Sequence, residues 1–493
     1  MENTLYYGDN LHILRDYIPD ESVDLIYLDP PFNSKADYNV IFKESTGTYS
    51  EAQITAFEDT WHWTDETEKI YSEIFDYGFS NVNQIMIALK SFIKRNDMLA
   101  YLTMMCIRLI ELKRVLKNTG SIYLHCDPTA SHYLKILMDA IFGHKNFRNE
   151  IIWCYYGASS PKQRQFPRKH DVILWYSKGN EWIFNSDNVR SPYAESTLKR
   201  IQTTPTSIFH GKRTKRTAHK KGKIVEDYWF LPAVVSTAKE RLGYPTQKPE
   251  ALLERIINAS SNKGNIVLDP FCGCGTTIAI AQNLKRKWIG IDITHLAINL
   301  IKFRLTNMFE LKPMKHYKVI GEPEDLAGAI QLANKNKERY QFQWWALSLI
   351  NATPSQEKKK GADTGIDGFL YFKEYLIKKE RDVFQIIIQV KSGKVGVKDI
   401  RDLGHVIDRE EAPIGIFITL NKPTKPMREE AAMKGIYKSP TYQRDFPRIQ
   451  IITIEELLNG KKPLLPPSAF TLLKQAKRFT LSNPQFDVLE NND

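Results

Sequence analysis

The sequence predicts an α/β protein built on a doubly wound parallel sheet, interrupted by a basic insert and followed by a second, smaller α/β unit. Three observations carry this expectation. Short apolar runs of strand length alternate with segments of helical period. One glycine-rich loop joins a strand directly to a helix. Positive charge is concentrated in a single stretch rather than spread along the chain. The 493 residues exceed what one hydrophobic core organises, so several domains are expected.

In chain order, Val23–Leu28 is a short, mostly apolar run and reads as a buried strand. Residues 97–117 place Met98, Leu99, Leu102, Met105, Leu109 and Leu112 at helical spacing. A turn at Thr119-Gly120 leads into a strand at Ser121–His125, and residues 130–142 are helical again. Residues 151–245 differ. They hold 17 Lys and Arg against 7 Asp and Glu, which accounts for ten of the twelve net positive charges of the chain. Trp153, Tyr155, Tyr156, Trp175 and Tyr176 mark strands among these basic clusters. Lys212, Arg213, Lys215, Arg216, Lys220, Lys221 and Lys223 form the densest cluster and are the expected phosphate partners of a nucleic acid, with a merely solvated insertion as the alternative. The α/β pattern then resumes, with a helix at 250–260, a strand at 265–269, a helix at 276–284 and a strand at 287–292. Residues 321–338 are charged and read as a linker. Residues 339–460 form a last block with an apolar helix near 342–350 and strands near 367–372, 384–390 and 414–420; a tail follows at 461–493. The expected division is thus 1–150, 151–245, 246–320, 321–338, 339–460 and 461–493.

Some classes are disfavoured. No uncharged apolar run reaches the roughly 18 residues of a membrane span. The first residues, MENTLYYGDN, lack the pattern of a signal peptide. Five scattered cysteines fit a reducing cytoplasm rather than a disulfide framework, and no Cys or His cluster has zinc spacing. Cys272 and Cys274 read as small loop residues. No phosphate-binding loop of the ATPase kind is present.

Two motifs carry chemistry. Leu268-Asp-Pro-Phe-Cys-Gly-Cys-Gly-Thr-Thr277 follows a strand and opens a helix. Gly273 and Gly275 permit backbone angles closed to other residues and close approach of a ligand. Asp292 ends the next strand, 17 residues beyond Gly275, where a carboxylate can accept both hydroxyls of a ribose. The spacing is not that of a dinucleotide loop, and no Arg or Lys stands ready for a pyrophosphate, so an adenosine carrying an amino acid fits better. The second motif is Asp29-Pro30-Pro31-Phe32, directly after the first buried strand. An exocyclic amine is a poor nucleophile because its lone pair is delocalised into the ring. The Asp29 carboxylate and the Pro30 carbonyl can accept both its N–H bonds, which draws the nitrogen toward sp³. Pro30 and Pro31 stiffen the turn, so the acceptors are preorganised. Phe32 offers a stacking face for a base that has left the duplex.

The order of these motifs resembles the beta class of DNA amino-methyltransferases, in which a DPPY/F tetrad precedes the recognition region and an FxGxG loop comes last. Residues 29–32, 151–245 and 271–275 follow that order, and Gly8-Asp9-Asn10, Thr119–Asp127 and Tyr244–Pro249 resemble further stretches of the class over residues 5–310. The resemblance implies a Rossmann-like methyltransferase fold using S-adenosylmethionine. Asp269, Phe271, Gly273, Gly275, Thr276, Thr277 and Asp292 would hold the cofactor, with Thr246 and Lys248 toward its methionine end. It implies transfer to DNA, and a DPPF tetrad leans toward N6 of adenine, with N4 of cytosine as the alternative. Participation in a restriction–modification or defence system, with a homodimer or restriction subunits as partners, follows from the same likeness.

The C-terminal block resembles Mrr-like members of the PD-(D/E)xK nuclease fold. Asp367 precedes one strand, and Gln389 and Lys391 end another, with Gln389 22 residues after Asp367. The likeness implies that Asp367 would hold Mg2+ and Lys391 would orient water, giving a single chain that both methylates and cuts. Gln389 replaces the usual acid and Gln343 stands where many such proteins have a glutamate, so a module that binds DNA or a partner is the alternative. A DNA-binding subunit whose chemistry resides in partners is a third reading, which intact Asp29 and intact glycines disfavour.

Overall fold

The structure, a computed structural model, describes residues 1–31, 61–157, 164–203, 217–235, 246–334, 339–355, 365–374 and 382–471, single residues between 238 and 244, and as backbone alone the strands 37–43, 49–58, 206–209 and 212–215. Phe32 and Arg216 lie outside the described residues, and the side chains of Lys212, Arg213 and Lys215 do too.

A nine-stranded sheet organises the first two thirds. Its strands are β1 Thr4–Tyr7, β2 Val23–Leu28, β3 Leu116–Cys126, β4 Phe147–Cys154, β5 His170–Ser177, β6 Tyr228–Phe230, β7 Ile266–Asp269, β8 Lys287–Asp292 and β9 Lys318–Ile320. The spatial order is β6-β4-β5-β3-β2-β7-β8-β1-β9. Only β5 runs against its neighbours. β7 and β8, from late in the chain, insert between β1 and β2, from its start. The pairing of Leu268 with Ile26 therefore sets Asp29 close to Asp269, although 240 residues separate them. Side chains alternate between the two faces, as strand geometry requires. Leu25 and Tyr27 point toward a cluster with Leu252, Ile256, Ile278 and Ile301, whereas Ile26 and Leu28 join Leu102, Met105, Leu109 and Leu134 on the other side. A sheet buried on both faces explains why β2 is apolar except for Asp24, whose carboxylate accepts from the Lys117 ammonium and the Ile266 N–H, both at 2.8 Å.

The helix Asp97–Val115 starts where Asn96 accepts the Leu99 N–H at 2.9 Å. It is surrounded by other elements and buries even Arg108 and Glu111.

The expected boundary at residue 150 falls inside β4. Trp153 and Trp175 belong to β4 and β5 of the main sheet, not to a separate basic insert: β5 hydrogen-bonds to β3, β4 to β5, and both tryptophans are buried in the core. The 321–338 linker is likewise corrected: Leu326–Asn334 is a helix whose Ala329 and Leu332 are buried in the C-terminal core, an apolar stripe hidden among charges. The tail does not begin free at 461. Phe470 forms a backbone bridge with Tyr371, and Thr353 and Thr471 hydroxyls meet at 2.6 Å.

The second unit is a five-stranded sheet, Thr353–Pro354, Gly368–Glu374, Asp382–Lys391, Ile414–Thr419 and Ile449–Thr453 in that spatial order, with the helix Arg339–Ser348 and the strongly amphipathic helix Val397–Arg409 packed on it.

Candidate active site

The site lies at the carboxyl ends of β1, β2, β7 and β8, where ligands of doubly wound sheets bind. Asp29 leaves β2 in a turn whose Pro30 is buried. Its Oδ2 accepts a hydrogen bond from the Lys248 ammonium. Its Oδ1 is buried and accepts no hydrogen bond among the described residues. An unfilled carboxylate oxygen away from water is costly, and Asp29 is one of the residues that line a cavity.

The glycine loop forms the opposite wall. Gly273 and Gly275 both have positive φ, +48° and +73°. That backbone lets the Gly273 N–H donate to Asp292 Oδ2 at 2.9 Å and the Gly275 N–H to the Cys272 carbonyl at 2.7 Å. Asp292 Oδ1 accepts from the Thr294 N–H and hydroxyl, both at 2.9 Å. Asp269 accepts the Phe271 N–H at 3.1 Å and bonds the Thr277 hydroxyl. Burial pushes the Asp269 carboxyl up to about 7 and that of Asp292 up to about 6, despite these hydrogen bonds. Cys272 and Cys274 are buried, and burial raises both thiols, in keeping with a packing role.

Three arginine-centred or amide contacts that the motifs did not announce brace this loop. Asn10 donates to the Pro270 carbonyl at 2.7 Å. The guanidinium of Arg108 holds Asn10 at 2.6 Å and Asp9 at 2.8 Å. Arg304, almost fully buried, joins Glu250 at 2.6 Å to the Thr276 hydroxyl at 3.2 Å. The sequence signal for Arg108 was a charge inside an apolar helix, which had to find partners. Tyr244 is buried, and a methyl added at Gly273 would meet its ring at 3.2 Å.

Together these walls enclose a cavity of about 270 Å3 lined by Asp29, Pro30, Pro31, Lys248, Asp269, Phe271, Gly273, Thr276, Thr277 and Asp292, with Thr246 at its edge. Ile293, half exposed beside Asp292, adds an apolar surface. An adenosine fits this combination: hydroxyl acceptors at Asp292, apolar contacts at Phe271 and Ile293, and an N–H-rich glycine loop. Of the tetrad and cofactor residues expected from the sequence that the structure describes, all but Gly275 line one space; Gly275 turns behind it, against Ile301. Lys248 differs in detail, since its ammonium engages Asp29.

The basic cluster is less uniform. Lys220, Lys221 and Lys223 are exposed, but Lys221 pairs with Asp187 at 3.3 Å and Lys223 with Glu226 at 2.7 Å. Exposed pairs of this kind are weak and exchange readily for phosphate. Lys212–Lys215 forms a hairpin with Thr206–Phe209.

In the second unit, Asp367 meets the strand that carries Gln389 and Lys391. Asp367 Oδ1 accepts from the Gln343 amide at 2.9 Å, and Oδ2 from the Val390 N–H at 2.7 Å, between Gln389 and Lys391. The Gln389 amide donates to the Gly365 carbonyl. A magnesium ion needs several free oxygens in octahedral array. Here both Asp367 oxygens already meet N–H donors, and no cluster of three acidic, His or Cys ligands exists among the described residues. These residues do not fit the Mg2+ that the resemblance implied.

The DNA methylase family model matches residues 23–303, more than half of the chain, and the protein belongs to that family. Residues 340–459 match a second model, described as NACHT-associated inactive Restriction Endonuclease 1. The Type II methyltransferase M.HpaI of Haemophilus parainfluenzae is 35% identical over 202 residues, 40% of this chain and 57% of that relative. The Type II methyltransferase M.EcaI of Enterobacter cloacae is 29% identical over 260 residues, 42% of this chain and again 57% of the relative. The chain thus spans little more than half the length of these two. The DNA adenine methyltransferase YhdJ of Escherichia coli (strain K12) is 27% identical over 292 residues, 59% of this chain and 78% of the relative. The solved PvuII DNA methyltransferase (cytosine-N4-specific) is 16% identical with a TM-score of 0.38, covering 61% of this chain and 85% of that one.

Proposed function

We propose that this chain is a site-specific DNA methyltransferase that moves a methyl group from S-adenosylmethionine to the N6 amine of adenine, as part of a restriction–modification or defence system. The observation that carries the reading is the buried Asp29 Oδ1, which accepts no hydrogen bond among the described residues, on a residue that lines the same cavity as Asp292 and the glycine loop. A flipped base presenting an amine there would satisfy that acceptor. The adenine choice is supported by the DPPF tetrad and by the likeness to a DNA adenine methyltransferase.

When bound, the cofactor supplies an electrophilic methyl on a sulfonium. The chain's own part is to orient and to desolvate. Asp292 would accept ribose hydroxyls, and Phe271 and Ile293 would flank the purine. Asp29 Oδ1 and the Pro30 carbonyl would take the two amine hydrogens and localise the nitrogen lone pair. Lys248 holds the Asp29 carboxylate in place from its other oxygen. The prolines make this alignment stiff, so little reorganisation remains at the moment of transfer. No covalent enzyme intermediate is needed.

The second unit we read as a module that binds DNA or a partner and does not cut, because Gln343 and the Val390 N–H already occupy Asp367. Double-stranded DNA is the partner, met by the exposed lysines 220–223, and the cytoplasm is the compartment. No helix among the described residues is long and apolar enough to cross a membrane.

The test is tritiated methyl transfer to DNA from a methylation-deficient host. Asp29→Ala should abolish transfer while cofactor binding stays within about twofold. Retained transfer overturns the assignment of the tetrad.

A further inference from the structure

Beside Asp29 lies a buried polar chain that amine alignment does not use. His125 ends β3 and is completely buried. Its Nε2 lies 3.1 Å from Asp171 Oδ2. Its Nδ1 lies 3.0 Å from the Tyr27 hydroxyl and 3.8 Å from Asp29 Oδ1. Asp171 also accepts from the Tyr155 hydroxyl at 3.3 Å. Four strands of the sheet supply these groups: β2, β3, β4 with the residue after it, and β5.

The protonation pattern follows from the partners. Burial, and then the nearby Asp29, keep the Tyr27 phenol protonated, so it is a donor. Burial works against the Asp171 carboxylate, but His125 outweighs it and holds the group ionised. The Nε2 proton therefore sits toward Asp171, and Nδ1 presents its lone pair to Tyr27 and Asp29. A carboxylate fixing an imidazole so that its far nitrogen is basic is the arrangement of a general-base dyad.

We infer that His125, oriented by Asp171, is a proton-accepting positioning residue that acts through Asp29 to clear the proton released by methyl transfer. This rests on Asp29 being the acceptor of the target amine. In the transfer the N–C bond forms, the C–S bond breaks and sulfur leaves with the electron pair. The amine nitrogen then carries one proton too many. That proton passes to Asp29 Oδ1 and from there to His125 Nδ1, as the 3.8 Å gap closes and Tyr27 yields its bond. The resulting imidazolium lies between two carboxylates. Asp29 is restored as an acceptor for the next turnover, and the proton leaves past Asp171, which is partly exposed. The charged or titratable groups that face this ring are Asp29 and Tyr27 from β2 and its turn and Asp171 from β5. Tyr155 lies beyond Asp171, Lys248 beyond Asp29, and Asp269 acts on Tyr27.

His125→Gln keeps a donor for Asp171 and deletes the proton acceptor. With the full chain, tritiated S-adenosylmethionine and plasmid DNA from a methylation-deficient host, the single-turnover rate should fall about 10- to 100-fold. Cofactor affinity should stay within about twofold, and the acid limb of the wild-type pH–rate curve should vanish. A rate within twofold of wild type with that limb intact overturns the relay while leaving the methyltransferase reading standing. A wild-type chain that methylates no DNA refutes the parent reading instead. Should His125→Gln fail to fold, Asp171→Asn decides: its amide offers an N–H to Nε2 and drives the ring proton to Nδ1. A loss of about tenfold or more supports the relay, and an unchanged rate overturns it.

Discussion

Gly275→Ala probes the loop on which the cofactor reading depends. Gly275 caps the helix Thr276–Asn283 in the left-handed region, φ +73°. An alanine held there costs about 1–2 kcal/mol from backbone sterics alone. Its Cβ would also lie 2.6 Å from Ile301 Cγ1, and Ile301 is fully buried. Overpacking a tight site costs about 1–3 kcal/mol. The sum is about 2–5 kcal/mol, and the loop shift should also loosen the Gly273–Asp292 bond and weaken cofactor binding. The two contributions separate in a double-mutant cycle followed by urea unfolding. Ile301→Ala removes Cγ1 and leaves only its Cβ, 3.4 Å away and in ordinary contact. That substitution alone should cost about 2–5 kcal/mol for its cavity. The double variant should then cost less than the two singles together by about 1–3 kcal/mol. Strict additivity would show that the Gly275–Ile301 contact does not constrain the loop.

Three further outcomes are expected. Asp292, raised to about 6 by burial, stabilises the free protein most at pH below about 4 and loses that contribution as pH rises through 6. Ribose hydroxyls favour its carboxylate form, so cofactor affinity should drop about tenfold from pH 7 to pH 5, and Asp292→Asn should flatten the calorimetric profile; a wild-type profile already flat removes Asp292 from the site. DNA affinity should fall about a thousandfold between about 50 and 200 mM salt if roughly six phosphates are contacted, and a flat filter-binding profile would release residues 212–223 from that role. Plasmid incubated with the chain and Mg2+ should stay intact, for wild type and Lys391→Ala alike; nicking by wild type that the variant loses would restore the nuclease reading.

Much of this was legible in the sequence because it is local. A strand followed by Asp-Pro-Pro, or a glycine loop opening a helix, needs only neighbouring residues to define its shape, so Asp29, Gly273, Gly275 and Asp292 announced themselves. The basic residues at 212–223 were equally visible, since a run of like charges finds no partners in a core. Gln343 and Gln389, neutral where the resemblance implies acids, were legible too as residues that weaken a metal site.

What the tertiary structure alone decided are the pairings across long loops. Insertion of β7 and β8 between β1 and β2 brings Asp29 to the glycine loop, and nothing near either motif encodes that order. β4 and β5 carry the aromatics of a sheet strand, yet only the pairing of β5 with β3 and of β4 with β5 shows that they extend the main sheet rather than start an insert. Arg108 reaching Asn10, and His125 reaching Asp171, depend on which side chains share a face once the sheet has formed. A sequence records which groups want burial or a partner. Which partner they obtain is fixed by register and packing, and these exist only when the whole core has closed.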